Sequence, residues 1–417
     1  MVVQRICNKG TYKWYNIKLI VLLPAWLSFL LVVAFILLLS KQELSIVLLV
    51  AAAIFALLAE VNLISASLNV ILDRSIIVLA IAVTLIPILG GIMEKSGLMI
   101  ELIKKMKVSK KASLMVSPAF FGMLPLAGGA LMSAPIIDQI DPDLSPPLKV
   151  SINIWYRHVL ILIYPLSPAL IVASVLADIS LYVLVAALII PFFILVLVGY
   201  LFMLQNVTPR EEESDRDLKR VFHNFIPLII APLIDFIGRW LFPIETQELY
   251  LLTGLIISIF ISLYMSKLNF SDVREISEEM KLWRFPLLIL AMFLFLEVFT
   301  NSGVADTIGA LNLPFLLFIG IAFFLGYATG RMQLPLSILI PIFLIQYALF
   351  AMPLIEFIFL YCAIFLGYLI TPIHPCVSYS INYLETDYKT TLKIIVKPIF
   401  FCFLLLLISY PLLSLIF

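Results

Sequence analysis

The stretch LITPIHPCVSYSINY, residues 369–383, interrupts a hydrophobic run with two prolines three apart, Pro372 and Pro375, around one of only three histidines in the chain. Proline removes a backbone donor and breaks helices, and a histidine among Leu, Ile and Phe is costly to bury unpaired. The chain contains one other P-x-x-P, in YPLSPALIVAS at residues 164–174, with Pro165 and Pro168. The only two Ser-Gly pairs are Ser96-Gly97 and Ser302-Gly303. Gly97 and Pro165 lie 68 residues apart, and Gly303 and Pro372 lie 69 apart. Two unique markers that keep one separation in both halves indicate an internal duplication.

The surrounding composition sets the class. Of 417 residues, 63% are hydrophobic and only 13% charged, against about 25% charged in soluble domains. Apolar runs near the ~18–20 residue spanning length recur throughout. The expected fold is an all-α integral membrane protein: about ten transmembrane helices plus two re-entrant helical hairpins, in two inverted-topology repeats. The expected location is the cell membrane, multi-pass, in contact with membrane lipid. The net charge of +1 gives no sign of a nucleic-acid partner. Cys7, Cys362, Cys376 and Cys402 are scattered. With no C-x-x-C and no Cys/His ligand spacing, the sequence supports neither a metal site nor a disulfide framework.

Apolar runs lie near 19–40, 43–60 and 75–95, after a basic tail at 1–18. The tail resembles a signal-peptide flank, but the first run exceeds a signal h-region and no A-x-A site closes it; it reads as a retained helix. A lysine-rich segment, residues 94–111, precedes an odd run at 112–138, ASLMVSPAFFGMLPLAGGALMSAPIID. Spans at 150–178 and 181–204 complete a first repeat over 19–204. The polar connector 205–221 leads to a second repeat over 222–417. Its runs lie near 222–243, 250–268 and 285–304, with an odd run at 313–343, LPFLLFIGIAFFLGYATGRMQLPLSILIPIF, and spans at about 349–384 and 396–416. Inverted repeats are a mark of secondary transporters. The positive-inside rule puts the lysine-rich segment, the connector, 267–284 and 389–397 on the cytoplasmic side. The basic tail falls on the other side and is the one disagreement.

Each odd run carries a polar, glycine-containing knot that a single helix would place at mid-bilayer: Gly128 and Gly129 in the first, Thr329, Gly330, Arg331 and Gln333 in the second. Hairpins dipping in from opposite faces avoid this. Legs of about a dozen residues reach about 18 Å at ~1.5 Å per residue, roughly half the bilayer. Non-helical backbone at that depth must be buried in protein or line a polar cavity. The breaks at 165–168 and 371–375 would lie in the long helices after each hairpin. Transporters place such breaks at substrate and ion sites; the plainer reading is a proline kink with His374 capping a freed carbonyl.

The candidate substrate-binding residues are Gly128, Gly129, Ser133, Arg157, His158, Ser167, Thr329, Gly330, Arg331, Gln333, Thr371, His374 and Ser378. A guanidinium at mid-bilayer costs about 2.5–3.5 kcal/mol on insertion scales, and its donor fork suits a carboxylate or oxyanion. For Arg331 a structural salt bridge or snorkelling to the outer surface stands beside that role. For Arg157, in NIWYRH, snorkelling to the inner face does. Asp235 and Arg239, four apart on one helix, are expected to pair. Glu356 is an isolated carboxylate and a candidate proton carrier near the outer interface. DQIDPD, residues 138–143, offers acids for a divalent metal but sits at an expected inner loop, where it should be solvated.

The segment order, three spans, a hairpin and two spans, twice, resembles the ion-transporter superfamily of divalent-anion/sodium symporters and gluconate and citrate permeases. FFGMLPLAGGALMSAPIID, NIWYRH, YPLSPALIVAS, GYATGRMQLPLS and TPIHPCVSYSINYLE more closely resemble a ten-helix membrane family, number 401 among domains of unknown function. The resemblance implies a scaffold domain, a moving transport domain and a homodimer. Sodium-coupled members carry Ser-Asn-Thr at their hairpin tips, where this chain has Ala127-Gly128-Gly129 and Thr329-Gly330-Arg331. Na⁺ and H⁺ therefore both stay open as coupling ion.

The expectation is a secondary transporter of a small organic anion with no cofactor. The chain lacks G-x-x-x-x-G-K-[ST], H-E-x-x-H and G-x-S-x-G. An intramembrane lipid-modifying enzyme using the DQIDPD acids, or a channel, is the alternative.

Overall fold

The computed structural model describes residues 24–39, 41–106, 108–123, 129–208, 217–309, 311–413 and 415. The basic tail and residues 209–216 of the polar connector lie outside them. The described residues are helical, with no strand among them, as backbone in hydrocarbon requires. Among the described residues, six helices are long and apolar enough to cross a membrane: Arg74–Lys95, Leu218–Leu241, Glu248–Ser266, Arg284–Asn301, Leu354–Tyr383 across its break, and Tyr388–Leu413. Other apolar segments form shorter helices, among them Leu44–Leu58, Phe315–Thr329 and Gln333–Gln346. Large apolar side chains such as Phe193, Trp240 and Phe260 stay exposed along the helices. In water they would be a liability; towards lipid they cost nothing.

The helices sort into two bundles. In the first, Leu44–Leu58 packs on Arg284–Asn301, Arg74–Lys95 packs on Glu248–Ser266, and Arg74–Lys95 and Arg284–Asn301 pack on each other. Phe29, Phe55, Phe295 and Phe299 interlock there, with ring centroids 5.2–5.9 Å apart.

The second bundle holds the odd runs and the broken helices. The first odd run forms the legs Lys110–Met123 and Gly129–Ile140; the second forms Phe315–Thr329 and Gln333–Gln346. The first leg of each packs on the helix that follows it in its own half, Pro146–Val159 or Leu354–Ile370. The second leg packs across, Gly129–Ile140 on Pro375–Tyr383 and Gln333–Gln346 on Pro168–Ala177. Close approach is needed at the first-leg contacts. A Cβ on Gly122 would lie 1.6 Å from the Arg157 carbonyl oxygen, and one on Gly326 2.2 Å from that of Ile364.

The Ser-Gly markers share one local structure. Gly97 and Gly303 have φ of 75° and 72°, the left-handed region open to glycine. Ser96 Oγ accepts from Leu98 N at 3.3 Å and Ser302 Oγ from Val304 N at 3.2 Å.

The feet of the two hairpins are tied differently. At the first, Lys110 pairs with Asp141 at 2.6 Å and Lys149 with Asp138 at 2.6 Å. At the second, the Gln346 amide does the work: Oε1 accepts from Leu313 N at 3.2 Å and Nε2 donates to Leu313 O at 2.8 Å. DQIDPD is largely solvated as expected, with Gln139, Pro142 and Asp143 exposed, and the reading is corrected at Asp141. Asp141 is 3% exposed, and the helix feet enclose it because Lys110 and Lys149 supply its segment with counter-charges. Both acids that might have served a metal or an enzyme are engaged in these pairs. Asp235 and Arg239 pair as expected, at 2.8 Å, and the Asp235 carboxylate also accepts from Tyr182 at 2.9 Å. Glu356 accepts from Tyr410 at 3.4 Å in the first turn of its helix.

Candidate functional site

Both P-x-x-P sequences mark helix breaks. Pro146–Val159 continues as a short 3₁₀ turn to Leu162, and the chain restarts as Pro168–Ala177; Leu354–Ile370 stops and Pro375–Tyr383 follows. Pro168 and Pro375 each occupy the first turn of the restarted helix, where a missing N–H is harmless. The carbonyl of Ile370, freed by the break, accepts from the Tyr388 hydroxyl. That task was one option for His374, and Tyr388 takes it instead.

Two side-chain pairs join the broken helices. Asn153 Nδ2 donates to Ser380 Oγ at 2.9 Å. Nearer the breaks, His158 Nε2 lies 2.8 Å from His374 Nε2. His158 Nδ1 is 2.6 Å from the Ile154 carbonyl oxygen. A carbonyl can only accept, so Nδ1 carries a proton and the neutral ring presents a bare Nε2 to His374. The Tyr368 hydroxyl lies 3.2 Å from His374 Nε2. Cys376, two residues past His374, brings its sulfur within hydrogen-bond reach of His158 and Arg157. The two Nε2 atoms and the sulfur all lie within 4.8 Å of one another.

This cluster borders a cavity of about 380 Å³ between the two bundles. Val83, Phe285 and Leu288 line it from the first bundle; the second contributes both breaks and the tip of the second hairpin. The charged side chains among its described lining residues are Arg157, Arg284, Arg331 and Glu43. Glu43 and Arg284 form an ion pair, and Arg157 has Glu94 as an electrostatic neighbour.

Arg157 is only 3% exposed, so it does not snorkel to the inner face. It is held within the bundle, where Nη1 donates to Ser133 Oγ at 3.3 Å. Arg331 follows Gly330, whose φ of 61° turns the chain at the hairpin tip. Thr329 Oγ1 clasps that turn, donating to Arg331 O at 3.0 Å and accepting from Arg331 N at 3.4 Å. The Arg331 guanidinium donates to Gln42 O at 3.3 Å and has Glu43, Arg284 and Tyr368 as electrostatic neighbours. It points across the bundle boundary rather than out to the surface.

Of the residues singled out from sequence, Arg157, His158, Ser167, Gly330, Arg331, Gln333 and His374 line the cavity. Ser133 stands behind Arg157, and Thr329 shapes the tip. Gly129 starts the second leg of the first hairpin, while Gly128 lies outside the described residues. Thr371 is buried at the break, where its hydroxyl accepts from Ile373 N at 3.4 Å. Ser378 is exposed on Pro375–Tyr383 and is not among the described lining residues, because its helix turns that face away. Sequence reading missed Cys376, Tyr368, Glu43 and Arg284. It also found no Cys/His spacing for a metal, because the ligand-type side chains come from two helices 216 residues apart.

The fold and cavity define a polytopic helical membrane protein with two bundles around a basic, partly enclosed site. The family model described as protein of unknown function (DUF401) matches residues 23–413, and the chain belongs to that family. Its fold is similar to the crystal structure of the Alcanivorax borkumensis YdaH transporter, described as having an unusual topology. The TM-score is 0.58 at 16% sequence identity, over 93% of this chain and 97% of that one. No curated protein matches the chain.

Proposed function

We propose that this protein is a secondary transporter of a small organic anion, working by alternating access at the cavity between the two bundles and coupled to Na⁺ or H⁺. The observation that carries the reading is the set of three guanidiniums, Arg157, Arg284 and Arg331, facing one cavity with a single carboxylate among the described lining residues. Three guanidiniums on one cavity give it a positive potential, which a small anion of matching size would complement. The fold likeness to a transporter and the crossed packing of hairpins on broken helices support it. The second of these also supports two inverted repeats, related by an axis between the breaks. The ion pairs of Asp138 with Lys149 and of Asp141 with Lys110 leave the enzyme alternative without a free acid pair there.

The test is thermal unfolding of the purified protein with a panel of carboxylates and oxyanions, in Na⁺ and in choline, at two pH values. A ligand that binds only the folded state raises stability by about 2.7 kcal/mol at a hundredfold excess over its dissociation constant. One anion class should shift the midpoint, and reconstituted protein should carry that anion into vesicles. A flat response across the panel would refute the anion reading.

A further inference from the structure

We propose that His158, His374 and Cys376 form a binding site for a borderline-soft metal cation of the Zn²⁺ class, set where the two broken helices cross and open to the cavity on its fourth side. Three donors, two imidazole nitrogens and a sulfur, lie within 4.8 Å of one another. That is one ligand short of the four of a closed structural site and equals the three protein ligands of open zinc sites.

The supporting contact is already in place. The Ile154 carbonyl accepts from His158 Nδ1 at 2.6 Å, which fixes the tautomer with Nε2 free to ligate. Metal-bound histidines are oriented in this way by a backbone carbonyl or carboxylate on the second nitrogen. His374 caps the helix Pro375–Tyr383, and Cys376 sits in its first turn. The break thus puts two donors at the start of one helix, facing a third at the end of another.

One proton shared between the imidazoles would account for their 2.8 Å separation, but not for a sulfur on the same spot. Two nitrogens at ~2.0–2.1 Å from a tetrahedral metal lie about 3.3 Å apart, so the rings must part by roughly half an ångström when the ion enters. Small rotations of two side chains supply this.

Charge decides the fourth ligand. Arg157 and Arg331 act electrostatically on His374, which opposes a bare dication. A thiolate from Cys376 removes one unit of that charge and an anion from the cavity removes another. The anionic fourth ligand rests on the transport reading above, whereas the three-ligand site does not.

The experiment uses the full chain, purified with its affinity tag removed and stripped with chelator, then titrated with Co²⁺ as a spectroscopic stand-in for Zn²⁺. A thiolate-to-cobalt charge-transfer band should appear in the near ultraviolet and saturate at about one equivalent per chain. Cys376→Ser should abolish the band. His374→Ala should weaken retention of Zn²⁺ by more than the roughly tenfold typical of a lost supporting partner. Arg331→Ala should keep the band. Absence of the band from the folded wild-type protein at saturating Co²⁺ would overturn the site, as would equal Zn²⁺ retention by Cys376→Ser/His374→Ala and wild type. An anion-dependent thermal shift without a cobalt band removes the metal and keeps the transport reading; a band without any anion response does the reverse.

Discussion

The foot of the first hairpin offers the sharpest energetic test of this structure. Lys110 Nζ and Asp141 Oδ2 lie 2.6 Å apart with their side chains only 8% and 4% exposed. Asp141 Oδ1 has no hydrogen-bond partner among the described residues, so the carboxylate depends on the Lys110 contact. Asp141→Asn leaves the Lys110 ammonium buried against a neutral amide. Removing one partner of a buried pair costs about 3–5 kcal/mol. The lower figure suits a pair at the end of a helix, where water can reach a relaxed lysine, and 3 kcal/mol is over a hundredfold in the folded-to-unfolded ratio. Lys110→Met should cost about as much, whereas Lys110→Met combined with Asp141→Leu should recover most of the loss, because an apolar pair of similar volume has no charge to desolvate. The assay is reversible unfolding in mixed micelles titrated with a denaturing detergent, read by tryptophan fluorescence and by circular dichroism. A single substitution within about 0.5 kcal/mol of wild type, the range of ordinary surface changes, would refute the buried pair and return Asp141 to the solvent.

Three other outcomes follow from the site and its frame. Arg331→Ala should abolish the anion-dependent rise in thermal midpoint while leaving the ligand-free midpoint within about 1 kcal/mol of wild type, since its one direct donation, to Gln42 O, is at the cavity edge; an unchanged anion response would remove Arg331 from the site. Gly122→Val should cost about 3 kcal/mol or more by overpacking against the Arg157 backbone. Gly320→Ala, where a Cβ meets nothing within 4 Å, should be close to neutral, and equal effects at the two positions would contradict the helix contact. Outside the spans, the backbone N–H of Asn269 and then Lys95 hold the Asp272 carboxyl below its ordinary value. Stabilisation by Asp272 is therefore present above its unfolded value of about 3.9 and lost as pH falls through the lower folded value. An unfolding midpoint measured against pH should show no pH-dependent change from Asp272 above about pH 5, and Asp272→Asn should remove its loss on the acid side.

The helix breaks and the odd runs were readable because proline and glycine act locally: a missing N–H ends a helix wherever the chain goes next. His158 and His374 could be suspected together, since each lies in an interrupted helix. Cys376 could not, because a lone cysteine in an apolar setting has no local sign of its role; only the crossing of the two helices brings its sulfur to the histidines. Glu43 and Arg284 come from helix ends on the other bundle and carry no motif. DQIDPD misled at Asp141 for the opposite reason. Four polar residues within six positions look like a loop, and the lysines that pair with two of them, Lys110 and Lys149, flank the run at a distance. Such pairing is a property of hairpin closure, which pattern alone does not express.

The two P-x-x-P segments and the two hairpin feet differ in chemistry, and the difference bears on how the cavity would work. Ser167 occupies the position in its P-x-x-P that His374 occupies in the other. One hairpin foot is held by ion pairs and the other by an amide. His158, His374, Cys376, Arg157 and Arg331 all belong to the bundle of hairpins and broken helices, while Gln42, Glu43 and Arg284 belong to the other. A rigid movement of one bundle against the other would therefore carry the histidine–cysteine cluster intact. The contacts such a movement would change include that of Arg331 with Gln42 O, beside the Glu43–Arg284 pair. On the proposed reading, an anion seated between Arg157 and Arg331 would compete with Glu43 for the same guanidinium. Occupancy of the cavity and release of the boundary would then be coupled, and by linkage each would favour the other to the same extent.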